Sequence, residues 1–164
     1  MLKAFNSTDK ISLKSTLPGG VTAEKALAVL HDHDFMIRCD RNLENYEDIT
    51  HSGKSRPKPV DAALKPTAST KCYNIHDYVN NIPGGIVNPK VDSNVEYTNL
   101  EDGLFIVAMA PLGVVSSCRW KFEAGELLID LTFSCSKLLL PMVRSGFKEN
   151  IEHINDTILR TLSA

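Results

Sequence analysis

Leu138 to Leu162 reads LLLPMVRSGFKENIEHINDTILRTL, and its apolar residues Leu140, Val143, Phe147, Ile151, Ile154, Ile158 and Leu162 recur at steps of three and four. That is the spacing of one face of a helix. Pro141 falls in the first turn, where a missing N–H breaks no intrahelical bond. A helix of about 24 residues is about 36 Å long at about 1.5 Å per residue, enough to cross a small domain. Its apolar face needs a sheet to lie against.

The residues before it supply one. Glu126 to Cys135 alternates Leu127, Ile129, Leu131, Phe133 and Cys135 with Leu128, Asp130, Thr132 and Ser134, the period of a half-buried strand. Lys90 to Asn99, Leu104 to Met109 and Val114 to Phe122 precede it, separated by Glu101-Asp102-Gly103, Pro111-Leu112-Gly113 and Glu123-Ala124-Gly125. Connections this short force antiparallel neighbours. Cys72 to Val79 is a further strand, ended by Asn80-Asn81-Ile82-Pro83-Gly84-Gly85. In Lys90 to Asn99, the residues Val91, Ser93, Val95 and Tyr97 form an inner face, and Lys90, Asp92, Asn94 and Glu96 a solvated one.

Towards the N-terminus, Lys10 to Leu17 also alternates and Pro18-Gly19-Gly20 ends it. Thr22 caps a helix over Ala23–His31, with Glu24 well placed in its first turn. A short helical turn is expected around Asp34–Ile37, and a strand from Tyr46 to Ile49. From Ser52 to Thr70 there are three prolines and almost no large apolar side chains. This stretch is expected to be a long mobile loop, either a plain solvated connection or a gate. The whole predicts an α+β chain: a curved antiparallel sheet of six to seven strands around a long C-terminal helix, with two short helices near the N-terminus. One domain over residues 1–164 is expected, since chains this short rarely split their core.

Composition removes several function classes. With 18 basic and 20 acidic residues in 164 the net charge is −2, too even to recruit a polyanion, so nucleic acid is not an expected partner. Cys39, Cys72, Cys118 and Cys135 include no CxxC pair and no zinc-finger spacing; they are expected to be reduced core thiols and no metal is expected. No apolar run is long enough for stable membrane insertion, and a soluble, cytoplasmic protein is expected. No phosphate-cradling glycine loop, GxGxxG or GxSxG occurs, so no cofactor is expected either.

Strand, two short helices, an antiparallel meander and one long closing helix form the element order of the START, pollen-allergen and polyketide-cyclase (SRPBCC) superfamily, and the chain resembles that helix-grip fold over nearly all its length. Leu17-Pro18-Gly19-Gly20-Val21-Thr22, Leu30-His31-Asp32-His33-Asp34, Tyr73-Asn74-Ile75-His76-Asp77 and Ala110-Pro111-Leu112-Gly113-Val114 resemble segments of an uncharacterised fungal family with this fold. After Ile37 the chain departs from it: Arg38-Cys39-Asp40-Arg41 stands where the resemblance calls for an apolar, proline-containing stretch. The resemblance implies an apolar pocket between sheet and long helix for a small hydrophobic molecule, in a monomer or homodimer. Fold alone does not say what happens in such a pocket.

Strand parity selects the residues that would act there. Tyr73, Ile75 and Asp77 point inward together, which makes Asp77 a candidate acid or base, because a carboxyl on a pocket wall loses solvation and its pKa rises. It would instead cap the Asn80-Asn81 turn if it stays wet; with reversed parity His76 and Asn74 face inward. Of His31 and His33, which diverge on a helix and so do not share a metal, His33 is expected to face the sheet and shuttle protons, unless it simply meets the helix dipole. Tyr97 is the third candidate catalytic group. Tyr73, Ile75, Val95, Met109, Cys118, Trp120, Phe133, Val143 and Phe147 are expected to line the pocket; Trp120 either stacks on a ligand or is core. Arg144 and Lys148 either hold a ligand carboxylate or form a solvated face. These residues fit a cofactor-independent cyclase or isomerase acting on a hydrophobic polyketide- or terpenoid-like molecule, or a non-catalytic lipid or sterol carrier, or a module whose cavity is filled by its own side chains.

Overall fold

The computed structural model describes residues 5–78 and 90–164. Among these residues seven strands form one antiparallel sheet: β1 (Asn6–Thr16), β2 (Leu43–Asp48), β3 (Lys71–Tyr78), β4 (Lys90–Leu100), β5 (Gly103–Met109), β6 (Val115–Glu123) and β7 (Glu126–Ser136). Their order across the sheet is β1-β7-β6-β5-β4-β3-β2, a meander to which β1 adds beside β7. The helices α1 (Ala23–His31), α2 (His33–Arg38) and α3 (Leu140–Ser163) cover its concave face. The expected helix-grip architecture is therefore present. The residues expected to end β3, from Val79 to Gly85, lie outside the described residues.

Local chemistry explains the joints. Ala124 and Gly125 adopt φ of 50° and 77°, the left-handed pair of a tight hairpin whose twist matches the strands it joins, β6 and β7. Thr22 caps α1 by accepting from the Lys25 N–H at 3.2 Å. Asp32 ends α1 and caps α2 through the Phe35 N–H at 3.0 Å, so the expected turn at Asp34–Ile37 is a helix that starts one residue earlier. Gly103, opening β5, lies so close to β6 that a Cβ there would sit 1.8 Å from the Trp120 carbonyl oxygen. The His31 Nε2–H is held at that hairpin by the carbonyls of Gly103 (2.8 Å) and Leu100 (3.2 Å), which fastens α1 to the β4–β5 turn.

The inner face of β7 (Leu127, Ile129, Leu131, Phe133) meets Trp120 of β6, Leu104 of β5, Ala26 and Leu30 of α1, and Ile151, Ile158 and Leu162 of α3, all buried. The helical spacing in the sequence thus marks the face that α3 buries. Two polar ties set α3 against β1: Ser15 Oγ donates to Asn155 Oδ1 at 3.1 Å, and Arg144 donates to Asp9 Oδ2 at 2.6 Å. Arg144 is accordingly engaged with the protein's own carboxylate.

One expectation fails on the convex side. The outer face of β4 is solvated only towards its start, since Glu96, Thr98 and Leu100 are buried. What covers them is the 52–70 segment, expected as a mobile loop or gate. It runs along the convex face, where the Lys58 N–H donates to the Glu96 carboxylate at 3.3 Å, the Thr67 N–H to Asn99 O at 2.9 Å, and Thr70 and Thr98 hydroxyls meet at 2.8 Å. A polar, proline-rich composition does not reveal such backbone anchoring.

Candidate functional site

The concave face is filled unevenly. Around β5, β6 and β7 large side chains close it, and Phe133 packs against Phe147 of α3 with ring centroids 5.1 Å apart. Beyond Phe147, between the first half of α3, the 110–114 turn and the adjoining ends of β3 and β4, a cavity of about 750 Å³ remains. That volume falls in the range of small-molecule sites, about 300–1,000 Å³. Its lining is apolar at Val91, Pro111, Leu112, Val114, Met142, Val143 and Phe147, and polar or charged at Asp40, Arg41, Asn42, Asp77, Lys90, Ser93, Glu149 and Asn150.

The β3 register fixes Asp77 in this wall. Tyr73 and Ile75 are buried on the same face, and Asp77 stands opposite Val91 on β4 and Leu43 on β2. His76 points the other way and pairs with Asp92 at 2.5 Å, so the open question of parity is answered for Asp77. The loop after α2 brings Asp40 alongside. Asp40 Oδ1 accepts from the Asn42 N–H at 2.9 Å, Asn42 O accepts from the Tyr78 N–H at 2.8 Å, and Arg41 reaches Glu149 of α3 at 3.7 Å. Burial first, and then the nearby Asp40, push the Asp77 carboxyl up to about 7, with His76 pulling weakly the other way. Burial also raises Asp40, opposed by the Asn42 N–H, His153 and Arg41. Burial thus favours the protonated form of both carboxyls, and the charge of Asp40 adds to this at Asp77.

His33 and Tyr97 belong to a separate cluster. The Tyr73 hydroxyl donates to His33 Nδ1 and His33 Nε2–H donates to Asn99 Oδ1, both at 2.8 Å. The Tyr97 ring lies 5.0 Å from the imidazole and 5.4 Å from the Tyr73 ring. Burial lowers the His33 pKa and raises those of Tyr73, to about 12, and Tyr97. The imidazole is thus neutral, with both nitrogens used. Tyr73 and Asp77 are four residues apart on one face of β3, about 13 Å at about 3.3 Å per residue, so cluster and cavity are neighbours without being one site.

A family model described as Domain of unknown function (DUF7053) matches residues 6–164. The chain belongs to the DUF7053 family. No curated protein matches the sequence. Among solved structures, similarity extends to Mll3558 from Rhizobium loti, with 8% identity over 96% of each chain and a TM-score of 0.56. The ZhuI aromatase/cyclase from Streptomyces sp. R1128 has 11% identity over 96% of this chain and 93% of its own, at a TM-score of 0.53. TTHA0849 from Thermus thermophilus has 12% identity over 94% of this chain and 97% of its own, at 0.55. At such identities the likeness is one of fold.

Within the DUF7053 chain the structure gathers only part of the sequence-derived site. Asp77, Val143 and Phe147 line the cavity; His33 and Tyr97 do not. Tyr73, Ile75, Val95, Cys118, Trp120 and Phe133 are inward but buried in the packed core. Met109 faces the convex side, opposite Asn94, and borders a smaller cavity of about 160 Å³ beside Lys54 and Arg56. Periodicity places it by apolarity alone, and β5 is apolar on both faces. Cys118 is buried and its thiol pKa is raised, which fits packing rather than nucleophilic chemistry. Asp40, Ser93 and Asn150 are members of the lining that sequence reasoning misses as site residues. Asp40 stands in the very run, Arg38 to Arg41, where the chain departs from its resemblance, and Ser93 shares the inner parity of Val91 and Val95. No helix among the described residues is long and apolar enough to cross a membrane, and no cluster of metal-ligating side chains occurs among them.

Proposed function

We propose that this DUF7053 protein binds a mainly apolar small molecule in the cavity beneath the first half of α3 and moves a proton on it, in a cyclisation or isomerisation that needs no cofactor. The observation that carries the reading is Asp77: a carboxyl in the wall of a 750 Å³ cavity, raised to about 7 beside a second carboxyl. A group with that pKa is present in both protonation states near neutrality, and a placed acid or base of this kind contributes about 10²–10⁴-fold. In its ionised form Asp77 can take a proton from substrate carbon or oxygen and, once protonated, return it elsewhere on the substrate. The apolar wall supplies the other contribution by holding a flexible substrate in a reactive shape.

The second reading is a carrier that binds without reaction. It is favoured by one observation: His33 and Tyr97 are tied into their own cluster, which leaves proton transfer in the cavity to the carboxyls of its described lining. Native mass spectrometry of protein purified from its producing cells, followed by incubation of wild type and Asp77→Asn with the retained molecule, separates the two. Conversion by wild type and not by the variant supports catalysis. Release of the unchanged molecule by both replaces it with the carrier reading.

A further inference from the structure

The polar end of the cavity holds more hydrogen-bond acceptors than the described residues satisfy. Asp77 Oδ1 and Asn150 Oδ1 are shielded from solvent and have no partner among the described residues. Ser93, only 8% exposed, faces the same space, and no described residue bonds its hydroxyl. An unpaired buried acceptor costs about 1–3 kcal/mol, so two of them around one space, with the Ser93 hydroxyl beside them, favour a ligand that brings donors. The charges agree. Neither Asp40 nor Asp77 forms an ion pair among the described residues, while Arg41 is engaged by Glu149 and Lys90 by Glu44, each at 3.7 Å.

We propose that this end of the cavity binds the ammonium group of a ligand whose remaining body is apolar. The ammonium would sit between Asp77 and Asp40, donating to Asp77 Oδ1 and Asn150 Oδ1, with Ser93 Oγ as third acceptor. An ammonium has three donors and no acceptor, which matches the inventory; a hydroxyl satisfies one acceptor and adds lone pairs to a site already rich in them. A ligand carboxylate meets two like charges. The apolar body extends towards Val143 and Phe147, which fixes the orientation: charged end towards the β3–β4 ends, apolar end under α3. The inference rests on the cavity being a small-molecule site and holds whether that site is catalytic or not.

Calorimetric titration of the full chain with tryptamine, tryptophol and indolepropionate, which share an indole body, tests it at a pH of about 8, where the amine is protonated. Tryptamine should bind at least about tenfold more tightly than tryptophol, the scale of a hydrogen bond to a charged group, and indolepropionate should bind most weakly. Asp77→Asn, which keeps the shape, should remove the advantage of tryptamine and leave tryptophol within about twofold. Asp40→Asn should reduce that advantage, and thermal unfolding verifies that both variants fold. Equal affinity for amine and alcohol overturns the amine assignment while leaving the cavity reading intact, as does an equal loss of both in Asp77→Asn. Absence of binding by all three probes overturns both.

Discussion

The Tyr73 hydroxyl, on β3, donates to Nδ1 of His33, on α2, over 2.8 Å, and this bond closes the chain of contacts that runs from the N-terminal helices into the concave face of the sheet. Tyr73→Phe removes the donor and leaves a buried ring nitrogen unpaired, an expected loss of about 1–3 kcal/mol in urea unfolding. Probe affinity at the cavity should change little, because the cluster lies outside its lining. A large affinity loss with unchanged stability would contradict the separation of the two sites.

His33 also contributes a pH dependence. Burial holds its pKa below the ordinary 6.5, so the unfolded chain takes up the proton first as pH falls. The stability of the neutral, hydrogen-bonded imidazole is therefore present above about 6.5 and is lost as pH drops below it. Comparison of Tm against pH for wild type and His33→Gln should show the wild type losing more as pH falls below about 6.5.

Asp77 works in the opposite direction. Its folded pKa of about 7 stands above the ordinary 3.8, so the folded state holds the proton that the unfolded state releases. Stability from the protonated form is complete below about 4 and is lost as pH rises to about 7. The difference in Tm between wild type and Asp77→Asn should therefore shift against the wild type across that window, at about 2–4 °C per kcal/mol for a chain of this size. Asp40→Asn, by removing a like charge, should move the window to lower pH. A flat difference curve would show that Asp77 ionises as an ordinary surface carboxyl.

Phe133 separates the packed half of the concave face from the open half through its contact with Phe147. Phe133→Ala should cost about 3–5 kcal/mol and extend the cavity into the core. Longer apolar probes should then bind better relative to short ones, measured as a ratio of affinities.

Gly103 has no room for a side chain. Gly103→Ala would press a methyl against the Trp120 carbonyl and spread the β5–β6 ladder at the hairpin held by His31. A loss of about 3 kcal/mol or more is expected in chemical denaturation.

The element order, the antiparallel meander and the buried face of α3 are legible in the chain, because each rests on a local period: alternation in β4 and β7, three- and four-residue steps from Leu140 to Leu162. The sequence also pointed to Asp77, an acid at an inward position in an otherwise apolar set. Local periods say nothing of what approaches from afar. It takes the folded arrangement to show that the 52–70 segment covers Glu96, Thr98 and Leu100, that His33 is locked by Tyr73 and Asn99, and that Asp40 and Asn150 join Asp77 around one cavity. Those arrangements arise from backbone bonds such as Tyr78 N–H to Asn42 O and from the way α3 crosses the curved sheet, where segments far apart in the chain meet and change one another's solvation and charge.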